Sequence, residues 1–433
     1  MLGCLKSLSA KVAVVAGLAF STAAQASTVE LHPRDNTKWV SIWGSMPQLT
    51  EPHNLPPEPF NETGLVFANA TIRQTVTVTL PSDTLRLQIS NVFGGSDLPI
   101  TAATLALPPT NEAGGSAIQP STLTPLTFSG SEGFIVPAGA SVLSDPVRFS
   151  VDSGTIVTVS LYLESGQTTN EITSHPGSRT TSYFTHGNRV EAEGLEDAAS
   201  AEHWYFISSI EGRVSKHVSS LVVVGDSIAD GRGSTTDQND RWPDQLRLRM
   251  QDDRSARNVA VINQAAGGNR VLADGLGPNA FGRIDRDVIA MPGTRYAIIH
   301  NGLNDIGTAD PEDAAQQDVG DRLIAAYSQI IDRLHRFDIA VFGATITPLL
   351  GPESVYNDPA WEATRQRVNK WIRESGRFDA VVDFDEAVRD PEDLGRLRVE
   401  YNSGDDLHLN PKGYEAMAKA VDLELFRKFR DGI

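Results

Sequence analysis

Cysteine pairs, long apolar runs and a surplus of basic residues are all missing from this sequence of 433 residues. Its one cysteine, Cys4, excludes an intrachain disulfide as a source of stability. No uncharged apolar run reaches the roughly 20 residues that a membrane-spanning helix requires. Aspartate and glutamate number 55 against 37 lysines and arginines, which gives a formal net charge of -18. We therefore expect no nucleic-acid partner and no stable association with a membrane.

The first 26 residues have the pattern of a secretory signal peptide. Lys6 and Lys11 precede an apolar run from Val12 to Phe20, and the small-residue motif Ala-Gln-Ala then ends at Ala26. We predict cleavage after Ala26 and a mature protein that is secreted, either extracellular or periplasmic. Cleavage at this point removes Cys4, so the mature chain must rely on its hydrophobic cores for stability.

Short runs of alternating apolar and polar residues fill the first half of the chain, from about Trp39 to Ile210. The run from Ala70 to Val78 is typical, and Gly, Pro, Ser and Asn separate such runs. Alternation with a period of two predicts antiparallel strands with one buried face. We assign residues 27–212 to an all-β, sandwich-like or jelly-roll-like domain, to which no motif gives a function. Its sequons at Asn61 and Asn69 would carry glycans only in a eukaryotic source.

After a polar link from Glu211 to Lys216, buried apolar runs alternate with amphipathic stretches. The predicted strands are Leu221 to Val224, Asn258 to Ile262, Tyr296 to His300, Ile339 to Phe342 and Val381 to Phe384. The predicted helices include Asp321 to Phe337, Glu362 to Ser375 and Pro411 to Lys428. This alternation predicts a mostly parallel, doubly wound sheet in residues 213–433, with ligands bound beyond the carboxyl ends of its strands.

A serine and a distant histidine stand at two of these strand ends. The motif Gly-Asp-Ser places Ser227 directly after a buried strand, but serine needs a base to become a nucleophile. His408 titrates near neutral pH and can serve as that base. Asp405, three residues earlier, can hold the imidazole in the required tautomer. Asp406 adjoins it and is the alternative acid, although the three-residue offset favours Asp405.

Two further polar turns can stabilise a developing oxyanion. Gly268 lies in the turn after the strand that ends near Ile262, and Asn304 lies in the turn after the strand that ends at His300. The backbone N–H of Gly268, the amide of Asn304 and the backbone N–H of Ser227 can face the same oxygen. The neighbouring Gly267 is the alternative donor.

Other polar residues near these turns are expected to be structural. Asn269 and Arg270 are as readily explained by local turn bonds as by substrate contacts. His300 lies on a buried strand, which favours a satisfied core histidine over a ligand. No group of His, Asp and Glu has the spacing of metal ligands, so we predict no metal site.

Four of these segments, in their order along the chain, resemble the sequence blocks of SGNH (GDSL-type) hydrolases. The blocks are Gly-Asp-Ser with the nucleophile, a turn with the oxyanion glycine, Gly-x-Asn-Asp with the oxyanion asparagine, and Asp-x-x-His with the acid and base. Carried over residue by residue, the resemblance implies Ser227 as nucleophile, Asp405 and His408 as the rest of the triad, and Ser227, Gly268 and Asn304 as the oxyanion hole.

The resemblance extends from about Ser219 to Ile433. It implies a flavodoxin-like, three-layer α/β/α domain that needs no cofactor. The family's spacing selects Gly268 over Gly267 as the oxyanion donor. It also implies that the carboxylates of Asp226 and Asp305, beside the reacting centre, are mainly architectural.

The surrounding phrases narrow the expectation further. The sequence resembles a subgroup of secreted acyl hydrolases that are likened to rumen xylanolytic esterases. The resemblance lies in Asp230-Gly231, in the run from Arg241 to Asp244 and in the run from Gly343 to Thr345. We expect a secreted carboxylic ester hydrolase that removes acetyl or other short acyl groups, with a small ester or an acylated carbohydrate as substrate. A general short-chain esterase or lipase, and a non-catalytic carbohydrate-binding protein on a hydrolase scaffold, stay open. The sequence does not indicate an oligomeric state.

Overall fold

Antiparallel strands fill the first half of the described chain. The computed structural model describes residues 36–433, so the predicted signal peptide at residues 1–26 lies outside the described residues. The strands of this half are β1 Thr37–Gly44, β2 Gln48–Leu49, β3 Asn61–Glu62, β4 Leu65–Val66, β5 Ala70–Thr77, β6 Ser82–Ser90, β7 Leu98–Ile100, β8 Ala102–Ala106, β9 Thr124–Pro125, β10 Phe134–Val136, β11 Ser141–Leu143, β12 Val147–Val151, β13 Ile156–Leu163, β14 Thr173–His175, β15 Ser182–His186, β16 Ala199–Ala201, β17 Trp204–Tyr205 and β18 Ile207–Ser215.

Two larger sheets and three smaller ones result from these strands. One larger sheet has the order β1-β18-β6-β11, with β12 also paired to β6, and the other has the order β16-β15-β5-β13-β8-β9. The smaller sheets are β17-β14-β2, β10-β7 and β3-β4. The predicted one-sided burial holds for β6, in which Leu85, Leu87 and Ile89 are buried between less buried residues. It is wrong for β5 and β13, in which residues on both faces are buried.

The predicted polar link from Glu211 to Lys216 is wrong, because most of it is the end of strand β18. This strand pairs with β1 on one side and β6 on the other. Glu211 is 3% exposed, and its carboxylate accepts a hydrogen bond of 2.6 Å from Arg86 Nε. An ion pair therefore allows a polar run to continue a buried strand. The boundary between residues 212 and 213 falls within β18, and the division into domains 27–212 and 213–433 stays a prediction.

A five-stranded parallel sheet forms the centre of the second half, which confirms the α/β fold expected there. Its strands are β19 Ser219–Gly225, β20 Val259–Asn263, β21 Thr294–His300, β22 Ala340–Ala344 and β23 Ala380–Val382. Their spatial order is β20-β19-β21-β22-β23, with every pairing parallel. This is the strand order of flavodoxin-like folds, in which ligands bind where the order reverses, here beside β19.

The helices connect these strands, and several predicted element boundaries change; the helix predicted from Asp321, for example, begins at Asp313. The helices are α1 Ser227–Asp230, α2 Trp242–Asp252, α3 Ala280–Ile284, α4 Leu303–Thr308, α5 Asp313–His335, α6 Pro359–Glu374, α7 Phe384–Val388, α8 Pro411–Ala420 and α9 Glu424–Lys428. Phe384, predicted to end a strand, begins α7 because the Asp383 carboxylate caps that helix. The single helix predicted from Pro411 to Lys428 is broken after Ala420, where the Val421 carbonyl accepts a hydrogen bond of 3.1 Å from Arg249 Nη1.

The two halves pack against each other at the edge of the parallel sheet. Strand β1 contacts the edge strand β20, and a Cβ atom added to Gly44 would stand 2.8 Å from the Ile262 side chain. The Ser41 N–H donates a hydrogen bond of 2.9 Å to the Pro292 carbonyl. One continuous cluster of buried apolar side chains runs through both halves. None of the helices in residues 36–433 has the length and apolar character needed to cross a membrane.

Candidate active site

Ser227 lies at the carboxyl edge of the parallel sheet, where β19 turns into α1. The strand ends at Gly225, and a Cβ atom at this position would stand 2.6 Å from that of Ala229. The Asp226 carboxylate accepts a hydrogen bond of 3.1 Å from the Ile228 N–H and so caps the four-residue helix. Ser227 is therefore fixed at the first position of α1, and it is only 7% exposed.

The structure brings Ser227, His408 and Asp405 into one hydrogen-bonded chain. Ser227 Oγ is 2.7 Å from His408 Nε2, and His408 Nδ1 is 2.7 Å from Asp405 Oδ2. A carboxylate only accepts hydrogen bonds, so Nδ1–H donates to Asp405 and leaves Nε2 free to accept the serine hydroxyl. This is the arrangement in which a neutral imidazole can take the proton of Ser227.

The choice between Asp405 and Asp406 follows from their partners. Besides the imidazole, Asp405 accepts the backbone N–H of His408 at 2.8 Å and that of Leu407 at 3.2 Å. Asp406 bonds elsewhere, since its carboxylate accepts Asn402 Nδ2 at 2.5 Å and the Glu353 N–H at 3.0 Å. Asp405 is thus the carboxylate that orients His408.

Burial and nearby charges set the protonation of this chain. Burial lowers the pKa of His408 from its ordinary 6.5; Asp405 raises it, and the positive charges of Arg232 and Arg179 lower it further. For Asp405, burial alone would raise the pKa, but the hydrogen bonds from His408 outweigh that effect and hold the pKa well below its usual range. Neutral pH therefore favours a neutral imidazole beside an ionised carboxylate, the state that a general base requires.

Asn304, in the first turn of α4, presents its amide to the same cavity. Its Oδ1 accepts a hydrogen bond of 2.9 Å from the Tyr356 hydroxyl, and its Nδ2 donates one of 3.0 Å to the Asn269 carbonyl. These two bonds fix which end of the amide carries hydrogen. An amide nitrogen has two hydrogens, and among residues 36–433 the second has no partner. Asn304 therefore keeps one donor for a ligand.

The two neighbouring glycines after β20 differ in what their N–H groups do. The Gly267 N–H donates a hydrogen bond of 2.9 Å to Asp230 Oδ2, so it is already engaged. Gly268 has a left-handed φ of 67°, and its N–H has no partner in the part of the chain that the structure describes. Both residues border the cavity that contains Ser227. The available donor is thus at Gly268.

The polar residues that flank these donors are structural. Asp305 accepts the backbone N–H groups of Val271 and Leu272 at 2.8 and 2.9 Å, which ties α4 to the loop after β20. Burial raises the pKa of Asp305 to about 6 and that of Asp226 to about 7. Asn269 is fully buried, and its side chain donates a hydrogen bond of 2.7 Å to the Pro278 carbonyl. Local bonding therefore explains Asn269 without a substrate contact.

His300 is buried in the core as expected, but it is not a satisfied histidine. Its ring makes edge contacts with Trp242 and Phe384 at centroid distances of 6.4 and 4.9 Å. Its Nδ1 has no hydrogen-bond partner among the described residues. Burial lowers its pKa to about 3, which keeps the ring neutral.

Sequence reasoning misses a buried pair that joins the β-rich half to the donor loop. His175, at the end of β14, places Nε2 2.9 Å from Asp230 Oδ1, and the other oxygen of that carboxylate accepts the Gly267 N–H. His175 Nδ1 is 3.0 Å from the Met46 carbonyl, so it must donate there. The Nε2 contact with a carboxylate then needs a second proton, held by the imidazole or by Asp230. The pair is therefore a shared-proton link, and a separation of 55 residues leaves no local pattern to reveal it.

Both halves of the chain line the cavity around Ser227, which has a volume of about 420 Å³. The second half contributes Ser227, Gly268, Asn304 and His408. The β-rich half contributes mainly polar and charged residues from β2, the turn after β14 and the loops near them. They include Gln48, Glu51, Asn54, Arg179 and His203. Within residues 36–433 no three His, Cys, Asp or Glu side chains are grouped so that they could hold a metal ion.

Comparisons with known proteins add a family match and several distant structural likenesses. Residues 223–416 match the model of the GDSL-like lipase/acylhydrolase family. No curated protein sequence matches the chain. An acetyl xylan esterase from Geobacillus stearothermophilus is 21% identical with a TM-score of 0.35, over 47% of this chain and 94% of that one. A lipase/acylhydrolase from Enterococcus faecalis is 16% identical with a TM-score of 0.36, over 49% of this chain and 96% of that one. Such low scores leave the substrate to be argued from the cavity itself.

Proposed function

Because residues 223–416 of this chain belong to the GDSL-like lipase/acylhydrolase family of hydrolytic enzymes, we propose that the protein is a secreted serine esterase acting through an acyl-enzyme. The hydrogen-bonded chain from Ser227 through His408 to Asp405 carries this proposal. A serine hydroxyl at 2.7 Å from a neutral imidazole nitrogen is placed to lose its proton as it attacks a carbonyl carbon.

The reaction proceeds in two acyl transfers. Ser227 Oγ attacks the ester carbonyl carbon while His408 Nε2 takes its proton; the bond to the alcohol oxygen then breaks, and His408 returns the proton to that oxygen. Water next gives a proton to His408 and attacks the acyl carbon; the bond to Ser227 Oγ then breaks, His408 returns the proton to Ser227 Oγ, and the acid leaves. The N–H groups of Ser227 and Gly268 and the free amide hydrogen of Asn304 stabilise the oxyanion in both steps.

We propose acetyl and other short acyl groups on carbohydrate as the substrate, as in the secreted esterases that the sequence resembles. The polar residues of the β-rich half that line the cavity support a substrate whose alcohol part carries further hydroxyl groups. A general short-chain esterase or lipase is the second candidate. Two exposed apolar residues at the cavity, Leu276 and Val355, favour it because they can contact a longer acyl chain.

The predicted signal peptide supports secretion, because its cleavage would release a chain that begins at Ser27. The test is mass spectrometry of the protein exported by a host that recognises such signals. A mature chain that begins at Ser27 is the expected result, and export with residues 1–26 retained would contradict the proposal.

Replacement of Ser227 tests the chemistry. We expect Ser227→Ala to lower kcat for p-nitrophenyl acetate by roughly a millionfold, since the nucleophile is lost while the fold is kept. The matched control is Ser150→Ala, an exposed serine on β12. Full activity of Ser227→Ala would overturn the proposal. p-Nitrophenyl esters of increasing chain length, compared with acetylated xylan, then separate the two substrate candidates.

A further inference from the structure

Two arginines border the catalytic cavity close to His408. Arg179 belongs to the turn after β14 in the β-rich half, and Arg232 follows α1, with its backbone N–H donating a hydrogen bond of 2.9 Å to the Ser227 carbonyl. We propose that Arg179 and Arg232 bind a carboxylate or phosphate group on the alcohol part of the ester. This inference rests on the proposed esterase function and names its substrate class.

Arg179 is an arginine without a partner among the residues that the structure describes. It borders the cavity, and among residues 36–433 its guanidinium makes no hydrogen bond and no ion pair. Its Nε is buried without a hydrogen-bond partner. The Arg179 residue as a whole is half-buried, but its buried Nε normally needs an acceptor, because an unpaired buried donor is costly. An anionic ligand in the cavity would supply the missing acceptor.

A second arginine of the β-rich half, Arg73, shows what a structural arginine does here. It is fully buried, and among the described residues it also has no acidic partner. Its guanidinium instead donates to the Ser116 carbonyl at 2.7 Å, to Ser160 Oγ at 3.0 Å and to the Arg189 carbonyl at 3.0 Å. Within residues 36–433, Arg179 Nε has no such acceptor. We therefore assign Arg179 to ligand binding and not to stabilisation of the fold.

The backbone holds Arg179 in a conformation that its residue type disfavours. Its φ is 51°, in the left-handed region that suits glycine. The Asp237 N–H donates to the Arg179 carbonyl at 2.9 Å, and the Asp237 carboxylate accepts the Thr181 N–H at 2.7 Å. Strained non-glycine residues persist where the surroundings fix them, and they gather at binding and catalytic sites.

The position of the arginines assigns the anion to the alcohol side of the ester. His408 must return its proton to the leaving alcohol, so the alcohol part lies next to the imidazole. Arg232 Nε stands 4.0 Å from the Asp405 oxygen that lies 2.7 Å from His408 Nδ1, and Arg179 borders the same cavity as His408.

Two carboxylates, Glu51 and Asp230, also border the cavity, and each is engaged by groups other than the two arginines; Asp230 contacts His175 Nε2 and accepts the Gly267 N–H. The two oxygens of Glu51 accept hydrogen bonds from Gln48 Nε2 at 2.7 Å and Asn54 Nδ2 at 3.0 Å. Arg232 Nε stands 4.0 Å from Asp405 Oδ2, and its side chain is 62% exposed. Since the whole chain carries a formal charge of -18, selective uptake of an anionic substrate needs a local positive site of this kind.

The test compares esters that differ only in charge. The probes are mono-O-acetyl glucose, mono-O-acetyl glucuronate and mono-O-acetyl glucose 6-phosphate, assayed at low salt with the full mature chain. We expect kcat/KM to be about tenfold or more higher for at least one anionic ester than for the neutral one. Arg179→Gln and Arg232→Gln should each lower this ratio. The control is Arg322→Gln, an exposed residue on α5, which should leave the ratio unchanged.

Each outcome decides between the two proposals. A preference for the glucuronate ester alone supports a carboxylate-bearing alcohol, and a preference for the phosphate ester alone supports a phosphorylated one. Equal or faster hydrolysis of the neutral ester, with Ser227-dependent activity intact, overturns the anion site and keeps the esterase. Failure to hydrolyse any of the three esters or p-nitrophenyl acetate overturns the esterase as well. Should Arg179→Gln not fold, the exposed Arg232→Gln variant decides the question.

Discussion

The two halves of the chain contribute different groups to the cavity around Ser227. The α/β half holds the atoms proposed to make or break bonds, joined by hydrogen bonds of 2.7 Å from Ser227 through His408 to Asp405. The β-rich half holds His175, which supports the donor loop through Asp230, and Arg179, which borders the cavity. The β-rich half therefore contributes to the candidate active site by supporting the donor loop and by lining the cavity. Changes in the two halves should accordingly differ in size and in kind.

The largest effect is expected from the base in the α/β half. His408→Ala should lower kcat roughly a millionfold, because Ser227 then has no group to take its proton. Steady-state rates with p-nitrophenyl acetate measure this. The control is His217→Ala, an exposed histidine before β19, which should keep the parent rate. A His408→Ala protein within tenfold of the parent would remove the base from its proposed role.

The next effect concerns the proposed oxyanion donors of the same half. Asn304→Ala should lower kcat by about a hundredfold to a thousandfold. Tyr356→Phe removes only the hydroxyl that orients the Asn304 amide, so we expect kcat to fall by up to about tenfold. Tyr183→Phe is the control, since it removes a similar bond of 2.9 Å to the Gly114 carbonyl in the β-rich half. Equal rates for all three variants would argue against Asn304 as a donor.

A smaller but distinct effect is expected from the β-rich half. His175→Ala leaves Asp230 buried without its partner, which should cost about 3–5 kcal/mol in the free energy of unfolding. It should also lower kcat, because Asp230 then holds the loop at Gly267 less firmly.

A second histidine–aspartate pair provides the control for this change. His335 is also 2.9 Å from its partner, Asp379, but both side chains are more exposed, so His335→Ala should cost about 0–1 kcal/mol. Urea unfolding and kcat at a temperature where all variants are folded provide the data. An unchanged kcat in His175→Ala would reduce the pair to a purely structural contact.

The smallest effect is a shift in pH dependence. Activity requires neutral His408, so kcat/KM should rise with pH through the pKa of that group, which burial places below the ordinary 6.5. Arg179 also lowers this pKa, and Arg179→Gln should therefore move the acid limb of the profile to higher pH. Profiles of kcat/KM for p-nitrophenyl acetate, with Arg322→Gln as control, measure the shift. A limb that stays in place or moves to lower pH would contradict the proximity of Arg179 to the imidazole.

The sequence predicts the α/β half well because its information is local. Buried apolar strands of five to seven residues end in short polar motifs, and the parallel sheet brings those ends to one edge. Ser227, Asn304 and Gly268 each follow such a strand. The three-residue offset only favours Asp405 over Asp406 as the orienting acid. The structure decides between them, because both carboxylates lie in the same loop and differ only in their hydrogen-bond partners.

The sequence is less informative where long-range contacts decide the structure. The polar run from Glu211 to Lys216 indicates a loop until the ion pair with Arg86 is seen, and that pair joins residues 125 positions apart. The contact between His175 and Asp230 is also long-range, and no local sequence pattern predicts which sheets and helices bring these two residues together. Arg179 gives no sequence signal, since only the structure shows that its guanidinium lacks a partner among the described residues.

Covalent labelling of Ser227 tests the central claim most directly. The intact protein is treated with a fluorophosphonate, which reacts with activated serines, and the adduct is mapped by mass spectrometry of peptides. We predict an adduct on Ser227 in the parent and in the His217→Ala control, and none in Ser227→Ala. Absence of an adduct between about pH 6 and 9, or an adduct on another residue with Ser227 unmodified, would contradict a serine nucleophile at this site.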